Sequence, residues 1–363
     1  MARPSGSSRI ALAIEPLDTL FFRDGRPFEA GTRGASSALP WPQTVAGALR
    51  SALLDMAGCD FAALGSAIRG GLGFAEAASR QGDAVARAAD VRFRGPWFAM
   101  NDEIMVSAPA TLQRDRGIGG ELVRFDPLGS LLPGWTGDDS GRYPLWPRKR
   151  ARTEALGGHF ITLAGLRDFL AGRTPPVEAL FSPTDLYGYD RRTGVSVNAA
   201  RQTAEDGLLY GVSLLALKEK VSIVVEAEGP AAALDIFPNE FVAPMGGEGR
   251  HVLIRRRGAV RWPTIPSQDG RRLLMLVTPG VFDGGWRPEG LSCAAAAVPQ
   301  AQAVSGWDLA RGGPKPTRFV VPAGAVYFLE GEAPVGLVAG NLSGLEDAAL
   351  GWGCFVEGVW NHV

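Results

Sequence analysis

Three cysteines, three histidines and four lysines are few for 363 residues, and each shortage excludes some chemistry. Cys59, Cys293 and Cys354 are odd in number, widely spaced and never in a C-x-x-C pair, so reduced thiols in a cytoplasmic protein are expected. His159, His251 and His362 lie in no H-E-x-x-H helix and in no cluster with zinc spacing. None of Lys149, Lys218, Lys220 and Lys315 precedes Ser or Thr, which removes a Walker A loop. A G-x-S-x-G elbow and a kinase catalytic loop are also missing. No apolar run approaches the roughly 20 residues that span a bilayer. The run Ile10–Ile14 stops at Glu15 and is too short for a secretory signal. No cofactor, metal or membrane contact is expected.

Net charge is also small, −1, so bulk electrostatics give no argument for nucleic acid. The charge is unevenly distributed. Residues 142 to 201 hold ten Arg/Lys against five acids, and residues 250 to 272 hold seven arginines against Asp269. Residues 322 to 363 hold five acids and no cation. Arginine supplies 33 of the 37 cations, and it is the better residue for bidentate phosphate contacts. A GC-rich genome, which also inflates the 48 glycines and 26 prolines, is the plainer source of that excess.

With 46% apolar residues the chain can bury a core, and its length allows two domains. A strand at 9–16 feeds a helix from Pro42 to about Ala57, with proline in the first turn. Val45, Leu49, Ala52, Leu53 and Met56 recur at helical spacing, while Gln43, Gly47, Arg50 and Leu54 form another stripe. Gly47 is about 1 kcal/mol worse than Ala in a helix interior, so a close approach to that face is expected. Residues 61–90 read as helical, and 91–107 as a hairpin turning at Asn101-Asp102. Residues 110 to 205 show little periodicity and read as an insertion, partly mobile. Leu208–Leu217 and Val221–Ala227 read as a second hairpin, followed by a short helix near 231–237 and a strand at 251–256. Pro263–Ser267 reads as a linker to a smaller unit with strands at 272–277 and 325–329. The fold class is therefore α+β: an N-terminal unit over 1–262 beginning as a β-α-β-β-α-β, ferredoxin-like unit, and a smaller one over 263–363 with a glycine-rich tail.

Three segments are candidate binding sites. Arg23-Asp24-Gly25-Arg26 is either a plain Asp-Gly turn or a loop that sets Arg23 and Arg26 on phosphates with Asp24 holding one of them. Met245-Gly246-Gly247-Glu248-Gly249-Arg250 is either a common glycine turn or an anion loop in which backbone N–H groups approach a phosphate. Asp190-Arg191-Arg192 is a basic turn, solvated or ligand-facing. His251 is a strand-start histidine or, alternatively, the proton-transfer group of a metal-free ribonuclease. In Arg255-Arg256-Arg257 alternate arginines face opposite sides of a strand. The aromatic motif of an RRM sheet is missing.

In this order these segments, with Pro42–Arg50, Val277–Phe282 and Pro322–Phe328, resemble one family. It is that of the third subunit of the Cmr module, a RAMP protein of type III-B CRISPR effector complexes. The resemblance extends from residue 15 to about 331. It implies two ferredoxin-like (RRM-like) RAMP units with a large insertion in the first, at about 110–205, and no catalysis. It implies partners too: the 5′ tag of the CRISPR RNA, the large polymerase-like subunit and the backbone RAMP subunits, with target RNA met indirectly. By position the Arg23–Phe28 loop, Gln43, Gly47, Arg50, Arg191, Arg192 and Gly246, Gly247, Gly249, Arg250 with His251 line the RNA path. The acidic 322–363 segment is then a candidate protein-facing surface. A metal-independent endoribonuclease acting on repeat RNA is the alternative.

Overall fold

The structure, a computed structural model, describes residues 7–22, 35–36, 39–117, 120–130, 132, 134, 142–198, 201, 203–266, 270–308, 312–331 and 341–363. The chain begins with β1 (Ser7–Pro16), β2 (Ala35–Ser36) and α1 (Pro42–Met56). Three short helices follow, α2 (Phe61–Arg69), α3 (Phe74–Ser79) and α4 (Asp83–Ala89), and then β3 (Arg92–Met100) and β4 (Glu103–Ser107). Next come β5 (Leu112–Asp115), β6 (Leu122–Pro127), β7 (Leu145–Pro147), β8 (Thr153–Ala155), β9 (Phe160–Thr162) and α5 (Leu163–Leu170). β10 (Leu180–Phe181) and α6 (Pro183–Leu186) lead to β11 (Tyr187–Asn198), β12 (Thr203–Leu217) and β13 (Val221–Pro230). α7 (Ala231–Leu234), β14 (Glu240–Pro244) and β15 (His251–Arg257) complete the first half. The second half holds β16 (Arg271–Leu276), β17 (Ala295–Ala297), β18 (Gln302–Asp308), β19 (Gly313–Val320), β20 (Val326–Glu330), α8 (Leu345–Ala348) and β21 (Phe355–Val359).

The class is α+β, with antiparallel sheets and segregated helices. The main sheet runs β10-β9-β4-β3-β13-β1-β15-β14, and a second runs β17-β20-β16-β21. The same pattern recurs in both. In chain order, the fourth strand of each set lies beside the first, the first beside the third, and the third beside the second. For the first sheet the set is β1, β3, β13 and β15, and for the second it is β16, β17, β20 and β21, with every neighbour antiparallel.

Strand alternation explains the layers. On β1, Ile10, Leu12 and Ile14 enter a core shared with α1–α4, while Ala11 enters another shared with the second sheet. On β13, Val221, Ile223 and Val225 face the helices, while Val224 faces the second sheet. Leu273 and Met275 of β16 return that contact, and Leu274 and Leu276 fill a third core behind it. The central strands of both sheets are thus buried on both faces, as their unbroken apolar runs require, while one face of β14 and β15 stays exposed at Val242 and Arg255.

Two expectations change, the second hairpin and the faces of α1. Leu208–Leu217 and Val221–Ala227 do not pair: β12 pairs along β11, and β13 inserts between β1 and β3. The chain changes sheets at Lys218–Lys220, where Lys218 N–H donates to Leu186 O at 2.9 Å. Residues 110–205 hold more regular structure than their weak periodicity suggests. β9 and β10 extend the main sheet, and β7-β6-β5-β8 form a sheet of their own. Leu54 is buried, although its stripe looks polar, because α2–α4 share the same core; Met56 is exposed. The acidic end also supplies core residues, since Trp352, Cys354 and Trp360 are all buried, while Glu330, Glu346 and Glu357 are exposed and Asp347 pairs with Arg318.

The segment just after β15 is fastened to the main sheet. The fully buried Glu226, at a register shift in β13, accepts from Val260 N–H at 3.1 Å and Trp262 Nε1–H at 3.0 Å. Arg9 and Arg94 flank it at 3.9 and 4.0 Å. Trp262 packs edge-on against Trp97, whose Nε1–H donates to Val277 O at 2.9 Å. This chain of contacts joins the two sheets. Glu226→Ala leaves the Val260 and Trp262 donors without their acceptor and removes the carboxylate beside Arg94, while Arg9 keeps Glu228, and it should lower stability by about 3 kcal/mol. A thermal melt reads it, and an unchanged midpoint would show that the connector is held by packing alone.

Candidate nucleic-acid interface

Two motifs more than 220 residues apart in sequence meet at one end of the main sheet. After β1 the chain passes Leu17 and Asp18, bridges β12 through Leu20 and Leu215, and buries Phe21 and Phe22. β14 and β15 turn through 245–250 directly against it. Gly247 N–H donates to Phe21 O at 2.8 Å, and a Cβ on Gly246 would stand 2.6 Å from the same oxygen. Gly246 also has φ +82°, so position 246 needs glycine for both reasons. Glu248 and Gly249 continue in the left-handed region at φ 60° and 62°. Their exposed N–H groups donate to none of the described residues.

Arginines gather over this turn. Arg250 Nη1 donates to Asp18 Oδ2 at 2.6 Å, with its side chain only 20% exposed. Arg250 Nε is buried and has no partner among the described residues. Arg192, carried by β11, holds Asp190 at 2.7 Å and approaches the same Asp18 oxygen at 3.9 Å. Arg191 is exposed and makes no ion pair among the described residues. Asp18 thereby draws Arg192 of β11 and Arg250 of the turn together, beside N–H groups that bond none of the described residues. This arrangement is suited to an anion, because a phosphate fits both the guanidinium fork and the backbone donors. His251 borders it, its exposed ring donating from Nδ1 to Gly249 O at 2.9 Å.

Arg23, Asp24 and Arg26 lie outside the described residues. The chain enters their loop at Phe22, against the glycine turn, and returns at Ala35–Ser36, paired with Val212 and Ser213. The helix-face residues are placed differently from the expectation. Arg50 turns inward: its guanidinium sits 5.3 Å from the Phe74 ring and 5.8 Å from that of Phe93, and reaches the Val91 and Ala349 carbonyls at 3.4 and 3.5 Å. Burial pushes its pKa below the ordinary value. Gln43 Nε2–H donates to Ser305 O at 3.1 Å and so secures the β18/β19 hairpin. Gly47 shows no close approach, since a Cβ there would meet nothing within 4 Å. Arg255, Arg256 and Arg257 all sit on acids, Glu15 and Glu240, Asp235 and Asp102.

Sequence reading missed Asp18, which sits in no recognisable motif, and took Asp190-Arg191-Arg192 for a turn although it lies within strand β11. It also missed a cleft of about 1160 Å³, lined by Trp41, Phe98, Phe160 and Tyr187, with Ser107, His159 and Gln302 among its polar groups. Among the described residues no group of three or more His, Cys, Asp or Glu is arranged to hold a metal. No described helix is long and apolar enough to cross a membrane.

A family model described as "CRISPR-associated protein (Cas_Cmr3)" matches residues 12–360. Among solved structures, a chain of the type III-B Cmr-beta complex bound to cognate target RNA and AMPPnP is similar. It shares 15% identity, covers 88% of this chain and 86% of that one, and gives a TM-score of 0.52, which shows a common fold. A chain of the same complex bound to cognate target RNA has equal identity and coverage and a TM-score of 0.49. No curated protein matches the sequence.

The helix face gives a direct prediction. Gly47→Ala should stabilise the fold by about 0.5–1 kcal/mol, as glycine loses the most backbone freedom in a helix and the added methyl has room. Arg50→Ala should destabilise it by about 2 kcal/mol through lost ring stacking and two orphaned carbonyls. Thermal melts of both variants check the signs; a neutral Arg50→Ala would mean that the side chain is not part of the core.

Proposed function

The chain belongs to the Cas_Cmr3 family of CRISPR-associated proteins, and on that premise we propose that it is a non-catalytic, RNA-holding subunit of a type III-B CRISPR effector complex. In this reading it holds the 5′ repeat-derived tag of a CRISPR RNA. It also bridges the large polymerase-like subunit to the stacked RAMP subunits, and touches target RNA only through them. The observation that carries the reading is the convergence of Arg192 and Arg250 across Asp18, beside the 245–250 turn and the entry of the Arg23–Phe28 loop. The near-neutral net charge suits a subunit with large protein interfaces better than a free-standing RNA binder.

The architecture supports the same reading. Residues 1–262 and 263–363 are read as two ferredoxin-like RAMP units, each with the fourth-first-third-second strand order of a β-α-β-β-α-β fold. Their sheets pack on each other, so the face on which an RRM stacks bases is closed. RNA contacts then fall to strand ends and turns, where phosphates rather than bases are accessible. His251 alone offers proton-transfer chemistry at this end, and its ring is engaged with Gly249 O. Holding, not cleaving, is the function this geometry favours.

Two measurements test it. The chain, expressed with its genomic neighbours and purified by a tag on this subunit, should carry short RNAs that share one repeat-derived 5′ end. A clean, RNA-free preparation would overturn the reading. Arg192→Ala and Arg250→Ala should each weaken RNA binding and lower the slope of log K against log salt by about one. Unchanged slopes would mean that both arginines serve the fold.

A further inference from the structure

The β7-β6-β5-β8 sheet carries a second concentration of arginine, far in sequence from the glycine turn. Its attachment is firm. Arg124, fully buried, donates from Nε to both Asp126 carboxylate oxygens at 2.9 Å, reaches the Phe169 and Arg173 carbonyls, and lies 4.3 Å over the Phe169 ring. Arg148 adds bonds to Asp126 at 2.5 Å and Gly172 O at 2.8 Å. These contacts fix the small sheet on the end of α5, so whatever its far end presents is held in place.

Register shows what that end presents. Arg114 stands opposite Glu154 across β5 and β8, and Arg116 N–H donates to Arg152 O at 2.7 Å one step further on. Strand alternation therefore puts Arg114, Arg116, Arg152 and Glu154 on one face. On the same face Leu122 stands buried opposite Arg114, and one step inward lie the buried Leu112, Leu156 and Arg124. Beyond the core edge it becomes basic, with the exposed Arg150 in the adjoining loop. The acids nearby are already engaged: Glu154 by Arg116 at 3.1 Å, and Glu121 and Asp115 by Lys149 at 2.5 and 3.6 Å. Arg114, Arg150 and Arg152 have no ion pair among the described residues, and Arg114 Nε is buried without a partner.

We infer that this basic corner is a second RNA contact, an interaction surface for the phosphate backbone of a strand that runs beyond the 245–250 turn. The inference rests on the RNA-holding reading above and adds a surface to it. Arginines that share a face on a rigid sheet neutralise phosphates with little ordering of the protein, and a single-stranded phosphate contact contributes about 0.7 to the salt slope. The contact proposed is to phosphates, which carry no sequence information.

The test uses the full chain and a fluorescein-labelled polyuridine RNA, titrated across a range of KCl concentrations. Relative to the parent chain, R114Q/R150Q/R152Q should lower the salt slope by about two, with an unchanged thermal midpoint. R150Q alone, in an exposed loop that the fold does not use, should lower it by about 0.7 and guards against misfolding of the triple variant. An unchanged slope in both variants overturns the inference. Loss of a co-purifying protein subunit with the slope unchanged also overturns it, and assigns the corner to an acidic protein. If the parent chain itself shows no salt-dependent binding, the RNA-holding reading fails and this inference falls with it. If the parent binds and Arg192→Ala lowers its slope while the corner variants do not, only this inference fails.

Discussion

The apolar layer between the two sheets is the constraint on which everything else depends. Trp97, Val224, Leu273, Met275, Val326 and Phe328 meet there, and Glu226 with Trp262 fastens the connecting segment over its edge. Once that layer forms, the central strands of both sheets have no free face, for α1–α4 cover the far side of the first and a third core fills the far side of the second. The fold closes those central strands to bases. Its polar chemistry is displaced to turns, loop entries and sheet ends, and both arginine clusters are found there.

Displacement to the ends also decides which charges remain available. Many basic residues are engaged with acids, as in the Arg255–Arg257 run, or enclosed, as at Arg50 and Arg124. A count of arginines along the chain therefore overstates the binding surface. What distinguishes the 245–250 turn is that Arg192 of β11 and Arg250 of the turn share one carboxylate, Asp18, next to backbone N–H groups that bond none of the described residues. The carboxylate sets their spacing, and a phosphate is the ligand whose geometry matches that spacing and those donors.

Much of the framework was legible in the sequence because it is local. The strand at Ile10–Ile14, the proline-started helix and the Asn101-Asp102 hairpin follow from periodicity and turn chemistry, and all three are present. The pairing of β12 was not legible. Its true partner β11 lies in a stretch without clear alternation, and adjacency in sequence favours the wrong strand. The role of Arg50 was misread because a polar residue at helical spacing looks solvated, whereas Phe74 and Phe93 come from elements that the periodicity of α1 cannot reveal. The glycine turn and the entry to the arginine loop were each visible, but their contact through Phe21 was not, since no local rule joins residues so far apart.

Ultraviolet cross-linking of the RNA-loaded complex, with the modified peptides of this chain mapped by mass spectrometry, tests the central claim most directly. RNA held at the strand ends should leave adducts in the segments 17–28, 187–192 and 245–251 and none on the buried strands of either sheet. Adducts absent from all three segments, in a preparation that carries RNA, would contradict it.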